Sequence, residues 1–306
     1  MKIVVFLFAV LLFVSCTDEA NEDTKINTNL INIYLVEDDQ TEFNIRDTDI
    51  DALTLAEEPW IKSTDIEFYD WSAHSFFLNK EIDKSKHSGR YFVVTHNNDR
   101  LFAGVLWPLE RSSLPMCPSV SPENGIFSPK DVFMFNRFGW SYPVDMNNKT
   151  EFKAALLADG LLRNGIEVEL NRAEKQSSQS VSYTFTIGNT GNETLYVPDP
   201  DKMGASRFHY YTNGVSFRQG TNYYFPQNFT SIATEKIAAN WYVKLSPGAT
   251  VTRTVTIDGF DSLPTGSVKA TFSFPGGHIK ESGQWKKPDG RIWLGQFVTE
   301  KELNIE

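Results

Sequence analysis

Four carboxylates in one acidic stretch, Asp47, Asp49, Asp51 and Glu58, occupy positions 1, 3, 5 and 12 of a calcium-loop spacing. Hard cations take clustered carboxylate oxygens, and this spacing supplies them. Position 6 of such a loop needs glycine for its sharp turn, and here it is Ala52. The competing reading is a solvated acidic loop whose carboxylates favour the N-terminus of a following helical turn. Asp199-Pro200-Asp201-Lys202-Met203-Gly204 has a similar outline, but Met203 stands where a third oxygen is needed and Tyr210 falls at position twelve, so it reads as a turn. Asp70 and His74 are an acid and a base four residues apart. On an extended strand they would lie roughly 13 Å apart at about 3.3 Å per residue, which argues for core or rim residues rather than a dyad. The five histidines, at 74, 87, 96, 209 and 278, have no metal-ligand spacing to one another. The chain holds no nucleophile elbow, zincin helix, Walker loop or dinucleotide fingerprint. No cofactor is expected.

A second kind of chemistry is stacking. Trp140 and Tyr142 in a loop rich in Gly and Pro, Tyr210, Tyr211, Tyr223 and Tyr224 in a long connection, and Trp285 are candidates for a sugar-binding platform. The competing reading is that these rings fill the core, since buried aromatics contribute large areas. Lys280, Lys286, Lys287 and Arg291 flank Trp285 and read as a solvated basic loop. Cys117 lies between Pro115 and Pro118 in an apolar loop and reads as a small buried hydrophobe.

The N-terminus carries a different signal. After Met1-Lys2, residues Ile3 to Val14 form an unbroken apolar run. It is too short for a transmembrane helix, which needs roughly 20 residues, and it fits the apolar region of a secretory signal. Phe13-Val14-Ser15-Cys16 resembles the lipobox of bacterial lipoproteins, with Phe13 where that family usually has Leu. The resemblance implies cleavage before Cys16 and acylation of its sulfur. The acidic run Thr17 to Asp23 looks like the tethers that follow the cysteine in surface lipoproteins of Bacteroidota. One acyl chain holds a protein marginally, whereas two or three hold it durably. The expected location is therefore the cell envelope, lipid-anchored to a membrane, with the outer membrane favoured.

Composition narrows the partners. The formal charge of the 306-residue chain is −10, and loss of Lys2 with the signal makes it −11. That balance disfavours nucleic acid, which is bound by neutralising phosphates. It also disfavours anionic headgroups, so the membrane link is the lipid. With 23 Phe, 11 Tyr and 7 Trp the chain has ample material for a core. With Cys16 committed to lipid, Cys117 has no partner for an intramolecular disulfide.

The elements that must position these groups divide in two. Residues 16–29 read as a polar tether and 30–164 as an α+β domain with mostly antiparallel strands. In it, a strand-like run goes from Asp65 through Leu78, and Arg90–His96 and Leu101–Trp107 form a hairpin about Asn97-Asn98-Asp99. Residues 108–145 read as a long loop with one short strand at Asp131–Phe135. Asn148 and Glu151 form a capping box for one helix, with Phe152, Ala155, Leu156 and Asp159 on one face and Gly160 as its stop. A second helical turn is expected at Leu53–Glu58. Residues 165–306 read as an all-β sandwich, because Ile166–Leu170, Val181–Ile187, Leu195–Val197, Trp241–Leu245, Val251–Ile257, Val268–Phe274 and Ile292–Val298 alternate or run apolar between turns. Tyr183 to Gly191, and Leu245-Ser246-Pro247-Gly248 leading into Val251 to Val255, resemble an immunoglobulin-like module of bacterial surface proteins. That resemblance implies a fold rather than a role. The expected function is a non-enzymatic binding or assembly component of the envelope, with an envelope protein or a glycan as partner. The alternatives are a carbohydrate-binding surface lipoprotein that uses loop aromatics and a hydrolase with its site at the domain junction.

Overall fold

Alternating apolar and polar residues turn about half of the structure into strands. A computed structural model describes residues 30–37, 49–108, 110–111, 115, 117–123, 128–136, 150–212, 214–227 and 239–306. The signal, Cys16, the tether, Asp47, Trp140, Tyr142 and Asn148 lie outside the described residues. The first half contributes β1 (Ile31–Leu35), β2 (Ile66–Asp70), β3 (Ser75–Leu78), β4 (Tyr91–His96), β5 (Asp99–Leu106), β6 (Ser119–Val120), β7 (Val132–Met134), α1 (Thr150–Ala158) and β8 (Leu162–Arg163). The second half contributes β9 (Ile166–Ser177), β10 (Ser180–Asn189), β11 (Thr194–Pro198), α2 (Pro200–Met203), α3 (Ala205–Thr212), β12 (Val215–Gln219), β13 (Asn222–Tyr224), β14 (Tyr242–Leu245), β15 (Thr250–Asp258), β16 (Gly266–Pro275), β17 (Lys286–Lys287), β18 (Gly290–Ile292) and β19 (Gln296–Ile305). The molecule is mostly β, and its described strands form several sheets.

Two sheets, β1-β4-β5-β6 and β7-β3-β2-β8, share a core with α1. The helix presents Phe152, Ala155 and Leu156 to that core, and two residues after its end comes Gly160, whose φ of 68° glycine adopts cheaply. Asp159, just past the helix, accepts from the Ile31 amide at 3.0 Å and contacts His96 Nε2 at 3.3 Å. In the second half, β15-β10-β9 and β13-β12-β16-β19 enclose another core, into which Tyr183, Phe185, Phe217 and Phe272 project. Asn189, buried at the end of β10, ties two turns of this half together. Its side-chain amide donates to the carbonyls of Glu193 (2.8 Å) and Leu245 (2.9 Å), and its carboxamide oxygen accepts from Gly191 N at 2.9 Å.

The fifth sheet, β14-β11-β18-β17, packs Tyr242, Ile292, Leu294 and Trp285 against Phe68, Phe77 and Val132 of the first half. The β2–β3 hairpin is therefore covered on both faces: Tyr69 and Phe76 enter the first core, Phe68 and Phe77 this third one.

Several expectations need correction. Asp65 to Leu78 is a hairpin rather than one extended run. The Asp70 carboxylate accepts from Ser72 N, Ser72 Oγ and Ala73 N at 2.7–3.0 Å, and His74 takes φ 47°, which reverses the chain. The 13 Å extended spacing of Asp70 and His74 therefore does not apply. The second half is not all-β, since α2 and α3 lie within it. The helical turn expected at 53–58 is replaced by a 3-10 turn at Ile50–Ala52, and Leu55 bridges Val36 instead. The last apolar run breaks at Gly295 (φ 143°), so β18 and β19 enter different sheets.

Candidate functional site

The buried charges come first, because they are where catalysis would be sought. Arg291, expected in a solvated loop, is 1% exposed. Its Nη2 lies 2.6 Å from Asp70 Oδ2, its Nε donates to Glu193 Oε1 at 2.6 Å, and its guanidinium stands over the Phe68 and Phe77 rings at 5.1 and 5.2 Å. Burial opposes its charge, but Asp70 and Glu193 outweigh that and raise its pKa. Beside it, Ser72 Oγ accepts from Trp293 Nε1 (2.8 Å) and from Ile166 N (3.0 Å). Asp131 accepts from Trp285 Nε1 at 2.9 Å and from Gly283 N at 2.8 Å. Lys84 is fully buried and reaches Ser128 Oγ, Pro129 O and Val132 O at 2.8–3.0 Å. Burial pushes it down to about 7 against the pull of Asp131. Its amine is held by two backbone carbonyls and the Ser128 hydroxyl, and both side chains are buried. This seam holds the two halves together.

The concave feature lies elsewhere. Pro198 at the end of β11, Met203 of α2, Tyr211 of α3, Trp241 just before β14, Tyr242 at its start, Pro275 at the end of β16, and Gly276 and His278 after it line a recess. Asp199, next to the lining residue Pro198, ties the surrounding elements together. It caps α2 through the Asp201 amide at 3.2 Å, holds Arg253 Nε and Nη2 at 2.7 and 3.0 Å, and donates its own amide to Trp241 O at 2.9 Å. Lys202 Nζ donates to Tyr242 O at 2.6 Å. One wall depends on a close backbone approach. A Cβ on Gly276 would sit 2.2 Å from Gly295 N, and one on Gly277 2.2 Å from Ile292 Cγ2. The glycines let the chain lie flush against β18 and deliver His278 to the rim.

The described residues that line the recess carry no charge at neutral pH. Burial pushes the Tyr242 phenol up to about 12, and burial followed by the charge of Lys280 lowers the His278 imidazole. Among the described residues no carboxylate lines it. Rings dominate: Tyr211 lies 6.3 Å from Trp241 and 6.1 Å from His278, and the Arg207 guanidinium stands 5.7 Å from the Trp241 ring. The space it offers a water-sized sphere is about 10 Å³, room for roughly one water, so it is a shallow hollow rather than a cofactor cavity.

The structure brings some of the singled-out residues together and separates others. Tyr211 lines the recess, and Tyr210, 45% exposed, stands beside it in an edge-to-face contact at 5.3 Å. Trp285 is 2% exposed with Phe68 and Phe77 edge-on to it, so it offers no stacking platform. Asp49 caps the 3-10 turn by accepting from Asp51 N at 3.0 Å, and Glu58 pairs with Lys62 at 3.0 Å. Among the described residues no group of three or more His, Cys, Asp or Glu is placed to hold a metal. Cys117 is buried, which raises its thiol to about 12. Sequence reasoning missed Trp241, Tyr242 and His278 as partners of Tyr211. Only the proximity of Trp241-Tyr242 to a predicted strand end hinted at them. No described helix is long and apolar enough to cross a membrane.

No family model and no curated protein matches the chain. Among solved structures, it is similar to a β-glucosidase of Erythrobacter marinus at 12% identity and a TM-score of 0.20, over 46% of this chain and 15% of that one. It is also similar to a β-glucosidase of Kluyveromyces marxianus at 12% identity and 0.18, over 46% and 15%, and to the glucose complex of that enzyme at 15% identity and 0.17, over 45% and 14%. The chain thus spans about a seventh of the length of these enzymes, and likenesses at such TM-scores carry no argument about fold or activity.

Proposed function

We propose that this protein is a lipid-anchored binding component of the bacterial cell envelope that holds a partner protein through the aromatic recess. In this reading Cys16 carries the acyl chains and residues 16–29 are the tether. Residues 30–164 form one domain, and residues 165–306 form an immunoglobulin-like sandwich with helical insertions. Support for the sandwich comes from the two sheets that share the core of Tyr183, Phe185, Phe217 and Phe272. The observation that carries the binding role is the recess itself, a shallow hollow lined by Tyr211, Trp241, Tyr242 and His278. Aromatic-lined hollows of this kind recognise apolar or prolyl side chains of partner chains. The buried charges, by contrast, are engaged within the seam.

The anchor is tested by fractionating cells that carry Cys16→Ala. The reading expects released or unprocessed protein, and processed, membrane-bound Cys16→Ala protein would refute it. The binding role is tested with a photo-cross-linking residue in place of Tyr210 in intact cells. One discrete cross-linked protein species supports the role, and none counts against it.

A further inference from the structure

The surroundings of the recess bear on what it meets. The hollow has room for roughly one water, so it admits no long inserted side chain. An occupant must lie across Tyr211, Trp241 and Tyr242 rather than enter between them. A proline ring meets that demand, since it is apolar, rigid and short, and polyproline segments dock on aromatic-lined surfaces with little ordering cost. The edges of the hollow add charge. Lys202, which is exposed, donates from Nζ to the Tyr242 carbonyl at 2.6 Å. The Arg207 guanidinium stands 5.7 Å from the Trp241 ring centroid and donates to Met203 O at 3.3 Å. Lys280, also exposed, follows the lining residue His278 by two positions, and burial together with the Lys280 charge lowers that imidazole. The carboxylates Asp199 and Asp201 are both tied to Arg253, at 2.7 and 3.0 Å. Glu281 is the exposed carboxylate next to Lys280 in the chain. Three cations thus flank the hollow beside one further carboxylate, in a chain whose net charge is −10.

We infer that the recess binds an acidic, proline-containing segment of a partner protein, with a prolyl ring lying on Trp241 and Tyr211 and flanking Asp or Glu side chains meeting Lys202, Arg207 and Lys280. This rests on the reading of the recess as a binding site and names the chemistry of its partner. The rim charges steer an acidic segment in and reject a basic one, while the rings supply the contact area. The two contributions are separable, because either can be removed from a peptide while the other stays.

The test is fluorescence anisotropy of the detergent-solubilised full chain with a fluorescein-labelled peptide of Glu-Pro-Pro repeats, against matched peptides of Glu-Gly-Gly and of Lys-Pro-Pro repeats. The expected result is saturable binding of the Glu-Pro-Pro peptide that weakens with added salt, with both controls, and the Lys202→Glu/Lys280→Glu protein, weaker by about tenfold or more. Both lysines are exposed, so the double variant should keep the parent melting temperature. No binding of the Glu-Pro-Pro peptide overturns the inference, as does equal binding of either control. A discrete cross-link from position 210 in cells that persists undiminished in the folded double variant overturns the inference alone, whereas absence of that cross-link from the parent defeats the binding reading with it.

Discussion

The seam between the halves and the aromatic recess invite direct comparison, because both combine rings with ionisable groups and only one is open. In the seam, Arg291, Asp70 and Asp131 are almost fully buried and engaged in close ion pairs, hydrogen bonds and ring contacts. In the recess burial raises the Tyr242 phenol and lowers the His278 imidazole, so both are neutral near pH 7. Charge is used where the chain packs on itself, and uncharged rings line the hollow proposed to hold a partner. A buried ion pair is poor evidence of net stabilisation but costs heavily when half of it is removed.

That contrast can be broken first at the seam. Arg291→Met leaves Asp70 buried without its countercharge, so urea unfolding should show a loss of about 3–5 kcal/mol. A loss within about 0.5 kcal/mol would mean that the pair does not hold the halves. The next largest effect sharpens the difference between two histidines. His209 is 4% exposed in the second-half core, and burial lowers it from 6.5 to about 4. The unfolded chain therefore binds a proton that the folded chain refuses between pH 6.5 and 4. Its contribution is fully present above pH 6.5 and is lost as pH falls through that window, on the order of 3 kcal/mol. Urea midpoints at pH 7 and pH 4 should differ less in His209→Phe than in the parent, and an identical pH dependence would contradict the burial. Asn189→Ala strands the carbonyls of Glu193 and Leu245 and should cost about 1–3 kcal/mol, read from the same unfolding curves. The smallest stability effect belongs to the recess: Tyr211→Ala should cost below about 1 kcal/mol, because its ring is only partly buried.

How far the sequence revealed these two regions follows from the range of the signals. Phe152, Ala155, Leu156 and Gly160 mark α1 within one short stretch, and Asn97, at φ 58°, closes the β4–β5 hairpin as an Asn-rich turn should. Alternation over Val181–Ile187 and Val268–Phe274 located β10 and β16. Local signals failed where distant residues decide. The Asp70 turn contains neither Gly nor Pro, and its shape is set by one carboxylate. Arg291 sits among lysines in the chain, and nothing local says that Asp70 neutralises it. Tyr211 was legible as a candidate, but Trp241 and His278 reach it only through the fold.

The most direct test of the central claim compares two variants in intact cells, each with the photo-cross-linking residue at position 210. One is otherwise wild type and the other also carries Tyr211→Ala. The account predicts a discrete cross-linked protein in the first and its loss in the second, at equal expression and thermal stability. An undiminished cross-link in the Tyr211→Ala protein would contradict it, placing the partner's grip outside the recess.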